Sequence, residues 1–141
     1  MSYYIARTVA GPFETVVADV VERLKAQGFG VLSDIDVQAT LKAKLGADMP
    51  PYRILGACNP SFAHQALQIE DKLGVLLPCN VIVRETADRR VEVASVDPVV
   101  SMDRTGNAAL ASTAEEVRRR LASVIEAVAS QPARYTAGFG L

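Results

Sequence analysis

Cys58 and Cys79, the only cysteines of the chain, and His64, its only histidine, fall within one stretch of 22 residues. Thiolates and imidazole are the ligands that zinc and copper prefer, so Cys58, His64 and Cys79 form a candidate three-ligand metal site. The spacing C-x5-H-x14-C matches no standard zinc-finger pattern. Each cysteine is followed by an asparagine, giving Cys58-Asn59 and Cys79-Asn80. An amide beside a thiol can donate or accept a hydrogen bond, so these four residues are the candidate ligand-binding set. Cys58 carries a further argument. Asn59-Pro60 is a helix start, and a thiol at a helix N-terminus is favoured as thiolate, the nucleophilic form. Cys79 alternates with Val81 and Val83, which places it on an apolar strand face where a thiol acts as a small hydrophobe. His64 lies away from the centre of the Phe62, Ala66, Leu67 stripe and reads as flanking or exposed. There is no Cys-x-x-Cys pair, nucleophile elbow or phosphate loop.

Other charged groups read as structural. Glu115 and Glu116 precede Arg119 and Arg120 by four residues, the spacing of helix-surface ion pairs worth roughly 0.2–0.5 kcal/mol each. Asp36 reads as a helix cap, and Glu70-Asp71 as a solvated turn. Fifteen Lys and Arg balance sixteen Asp and Glu over 141 residues, a formal charge of −1. That balance argues against a nucleic-acid partner, which needs a basic face. The first residues show no basic stretch leading into an apolar run, and no run of ~18 apolar residues occurs, so no membrane partner and a cytoplasmic location are expected. Thiols there are usually reduced, so both cysteines read first as free.

The elements that must position these residues follow from periodicity. Tyr3–Val9 is a strand. Val17, Val20, Val21 and Leu24 make a helical stripe between Pro12 and Gly28. Phe29–Ile35 is a second strand. A short helix follows, capped by Asp36, carrying Val37, Leu41 and Leu45, and closed by Gly46. Tyr52–Cys58 is a third strand, apolar on both faces and therefore central. Asn59 and Pro60 open a helix that Gly74 ends. Cys79–Thr86 and Val91–Val96 form a hairpin, and Asp97-Pro98 stops it. Ser101–Asn107 reads as a polar connection. Ser112 or Thr113 caps a last helix with Val117, Leu121, Val124, Ile125 and Val128 inward. The order β-α-β-α-β-α-β-β-α predicts a two-layer α+β domain over residues 1–130, with about five strands in a mixed, mostly antiparallel sheet and helices packed against it. Residues 131–141 read as an irregular tail. Whether the strands ending at Cys58 and beginning at Cys79 run parallel or antiparallel stays open, and with it the distance between the thiols.

The phrases Ala57-Cys58-Asn59-Pro60 and Leu77-Pro78-Cys79-Asn80, with Gly28-Phe29-Gly30-Val31 upstream and Asp97-Pro98 downstream, resemble the family called domain of unknown function 302. The resemblance covers roughly residues 3 to 128. It implies a small α+β domain, commonly dimeric, without a settled activity. It also implies that Cys58, Asn59, Cys79 and Asn80 belong to the family pattern, whereas His64 stands at a variable position.

Three functions are then expected in competition. One is binding of a metal ion, zinc or copper, or a small ligand near the Cys-Asn pairs. Another is a homodimeric assembly module with structural cysteines. The last is a redox protein with Cys58 as reactive thiol and Cys79 as its resolving partner.

Overall fold

The structure, a computed structural model, describes residues 2–131. Its elements are β1 (Tyr4–Val9), α1 (Phe13–Ala26), β2 (Gly30–Asp36), α2 (Val37–Leu45), β3 (Tyr52–Cys58), α3 (Pro60–Ile69), β4 (Cys79–Glu85), β5 (Val91–Val96), α4 (Pro98–Asp103) and α5 (Ala111–Ala127). The five strands form one sheet in the order β1-β5-β4-β3-β2, and every pairing is antiparallel. This is the expected two-layer α+β arrangement, with no parallel pair among the described residues.

One sheet face is covered and the other is open. Strand alternation sends Leu55, Ala57, Val81, Val83, Val91 and Val93 to the covered face. There they meet Val16, Val20 and Leu24 of α1 and Val117, Leu121 and Ile125 of α5 in one buried cluster. A second, smaller cluster joins Ala66 of α3, Leu73, Met102 of α4, Leu110 and Ala114. At the sheet end away from Cys58, Arg53 of β3 binds Asp34 of β2 at 2.5 Å and Glu14 of α1 at 3.1 Å. This tie holds the first turn of α1 over the β2–β3 ribbon.

Local chemistry sets the element ends. Asp36 accepts a hydrogen bond from Ala39 N–H, and Gly46 closes α2 in the left-handed conformation. Three expectations need correction. Ser101–Asn107 is not simply a connection, because the buried Asp97 side chain caps Val99 N–H and Pro98 occupies the first turn of α4. Ser112 and Thr113 do not cap the last helix; a short 3-10 turn at Ala108–Leu110, capped by Asn107, feeds straight into α5. Gly74 does not end α3, which stops at Ile69 and is followed by a 3-10 turn at Leu73–Leu76. Residues 132–141 lie outside the described residues. Among the described residues, no helix is long and apolar enough to cross a membrane.

Candidate functional site

The antiparallel pairing of β3 with β4 brings the end of one strand beside the start of the other. Ala57 pairs with Cys79 and Gly56 with Asn80, while Cys58 stands one residue further and pairs with Gly30 of β2. Cys79 is buried and Cys58 half-buried, and both thiols are free. Alternation puts them on opposite faces at the sheet end, yet both border one cavity.

That cavity, about 340 Å³, lies where the two core clusters meet. Phe29, Ala57 and Val117 come from the larger cluster, Ala66 and Met102 from the smaller, and Phe62 of α3 also lines it. No Asp, Glu, Lys, Arg or His side chain contributes to the lining. Its polar groups are Asn59, Thr113 and the two thiols. Leu32, 71% exposed at the β2 bulge, stands at its edge.

Asn59 caps α3, its Oδ1 accepting from Phe62 N–H at 3.3 Å, with Pro60 in the first turn. The cap fixes the direction in which α3 leaves the sheet and so sets the roof of the cavity. Burial, and next to it the charge that Cys58 would carry, push the Cys79 thiol up to about 11. At pH 7 only about one molecule in ten thousand then carries a Cys79 thiolate. The floor of the cavity is a neutral S–H.

The remaining candidates separate. Asn80 lies on the other face of the sheet, in a depression beside Tyr52, Ile82 and Ala94. Alternation alone dictates this, since Cys79 and Asn80 are neighbours in a strand. His64 is exposed on α3 and does not line the cavity. The expected three-ligand centre of Cys58, His64 and Cys79 is not assembled, and no group of three or more His, Cys, Asp or Glu among the described residues is placed to hold a metal. The physical reason is helical direction, because α3 buries Ala66 and turns the side bearing His64 to solvent.

The family model for the domain of unknown function DUF302 matches residues 5–128. The chain belongs to the DUF302 family. A crystal structure of an uncharacterized conserved DUF302 protein from Bacillus stearothermophilus is 26% identical, with a TM-score of 0.85 over 91% of this chain and 99% of that one. No functionally curated protein matches the chain at a significant level. For this DUF302 domain the lining residues Phe29, Ala66, Met102 and Val117 are what sequence reasoning missed. Each looks like an ordinary core position, and only the gap between two clusters distinguishes it.

Proposed function

We propose that this DUF302 domain binds a small, largely apolar molecule in the cavity at the Cys58–Cys79 end of its sheet. The cavity itself carries the reading. Ligand pockets are typically concave, 300–1,000 Å³, and mostly apolar with a few placed polar groups. A cavity of about 340 Å³ without charged lining fits that description. Asn59, Thr113 and the thiols are its orienting groups, and Leu32 and Leu67 extend its apolar surface outward. The same lining favours a small molecule over zinc or copper, because a metal would have to deprotonate the buried Cys79 and find further ligands outside the lining.

The test is fluorescence titration with 1-naphthylamine, a probe uncharged at neutral pH and small enough for the cavity. The wild-type domain should bind it in a saturable way. Ala63→Leu, at a half-buried lining position on α3, places a branched side chain in the cavity and should weaken binding by at least about tenfold. Equal binding by both proteins, or no saturable binding, overturns the reading.

A second reading is self-association through the open sheet face. Tyr4, Ile35, Ile54, Ile82 and Val96 share that face by register, and Tyr4 and Ile35 are exposed. Apolar side chains that run across a sheet face, exposed at both edge strands and half-buried between them, are the kind of surface a second copy can cover. A sedimentation mass of one chain at 50 micromolar protein would remove this reading.

A further inference from the structure

The cavity reading says what fills the apolar space and leaves open what the other end of the ligand carries. The polar side chains packed around Gly28 bear on that question. Gly28 has φ +85°, a conformation that side-chain-bearing residues rarely adopt. The point where its Cβ would stand is bordered by Asn59 Nδ2 at 3.0 Å and Arg120 Nη1 at 3.5 Å. Asn59 is part of the cavity lining. The Arg120 guanidinium lies 5.1 Å above the ring centroid of Phe62, which lines the same cavity. Asn59, in the lining, and Arg120, outside it but stacked on the lining residue Phe62, thus set two donors close together beside an uncharged pocket.

Those donors are incompletely used. Asn59 engages Phe62 N–H through Oδ1, and no hydrogen bond leaves its Nδ2 among the described residues. Arg120 donates Nε–H to Glu116 Oε2 at 2.9 Å and Nη1–H to the Gln27 carbonyl at 3.1 Å. A guanidinium has five N–H groups, so three remain. Glu116 is shared with Arg119, so Glu116, Arg119 and Arg120 together hold one surplus positive charge. The contact with Gln27 explains Arg120 as a clamp between α5 and the end of α1. The remaining Arg120 donors and the Asn59 amide are open to water and free to meet a ligand.

We propose that the ligand is a straight-chain monocarboxylate, its hydrocarbon in the cavity and its carboxylate held between Asn59 Nδ2 and Arg120. This inference rests on the cavity reading. At about 30 Å³ per water-sized group, the cavity takes on the order of ten heavy atoms. A planar carboxylate suits the fork of a guanidinium better than it suits an ammonium. The neutral thiol of Cys79 on the floor suits a hydrocarbon end, and the one surplus positive charge at the edge suits a singly charged head.

The test compares decanoate with decanol by titration calorimetry at pH 7.5, on the wild type and on Arg120→Gln. The wild type should bind decanoate about tenfold more tightly than decanol, as expected for charge-assisted hydrogen bonds at a partly exposed site. In Arg120→Gln the preference for decanoate over decanol should vanish. Raising salt from 50 to 500 mM should weaken decanoate and leave decanol unchanged on the wild type, a readout that does not depend on the variant folding. Equal affinities for decanoate and decanol, or a decanoate affinity indifferent to salt, overturn the carboxylate inference and leave the cavity reading standing. Binding of neither compound overturns both.

Discussion

Raising the pH should unload one specific contribution to the stability of this domain. Cys79 is held protonated by burial, with its thiol moved from 9.0 up to about 11. The sign follows from proton counting. Above the unfolded value the unfolded chain has lost the thiol proton and the folded chain still holds it, so stability falls as pH rises. The contribution is complete below about pH 9 and is lost as pH climbs through about 11. At 1.36 kcal/mol per pH unit this amounts to about 3 kcal/mol, a large share of the 5–15 kcal/mol typical of a domain. The assay is urea unfolding followed by circular dichroism at pH 8, 9, 10 and 11, for the wild type and for Cys79→Ala. Lysines and tyrosines titrate in both proteins, so the difference between the two curves isolates Cys79. The wild type should be the more stable at pH 8, and its advantage should shrink by roughly 2–3 kcal/mol by pH 11. Parallel curves would refute the reasoning, because they would mean that the Cys79 thiol is as easily ionised in the fold as out of it.

Other expectations are simpler to state. Ellman's reagent at pH 8 should modify one thiol per chain in the native protein, the half-buried Cys58, and a second only in denaturant; two fast thiols would contradict the burial of Cys79. Asn59→Ala removes the cap of α3 and should cost about 1 kcal/mol in chemical denaturation; no loss would mean that the cap does not hold the helix. Gly56→Ala should be destabilising, since an added Cβ collides with Ser33 Oγ and lies 2.9 Å from Pro78 Cγ; an unchanged thermal midpoint would argue against that close packing. The Arg53 guanidinium holds Asp34 below the usual carboxylate range, chiefly by hydrogen bonding. Its stabilisation is therefore present above pH 4 and lost on further acidification, and Arg53→Met should flatten the acid limb of a stability–pH curve.

Much of the fold was legible locally. The bounds of β3 and β5, the Asp36 and Gly46 caps of α2 and the Asn59-Pro60 start of α3 all depend on neighbours a few residues apart, and sequence carries that information directly. The short α4 was missed because its three apolar residues, Val99, Val100 and Met102, make too brief a run to show a period. The pairing of β3 with β4 was not legible, since two strands joined by a helix can lie either way in a sheet. The likeness of the two Cys-Asn phrases groups Asn80 with Asn59, although the strand separates them. Strand alternation sets the two apart, because a residue beside Cys79 in a strand faces the other way. The cavity could not be read at all. It is a gap left at the junction of two clusters of ordinary core residues.

The sheet order has a consequence for how the chain is made. β1 has only β5 as a partner, and the two are joined by more than eighty residues of intervening chain. Strands β2 to β5, by contrast, pair each with the next along the chain. At 5–20 residues per second on a ribosome, β1 waits on the order of 4–16 s for its partner. During that interval Tyr3-Tyr4-Ile5-Ala6 is a β-prone segment with no ladder to join. Arg7, exposed in the finished sheet, puts a charge in the middle of that strand, the kind of residue that discourages nascent chains from pairing with one another. The slow step of folding should accordingly be the closure of β1 onto β5, the longest-range pairing in the sheet.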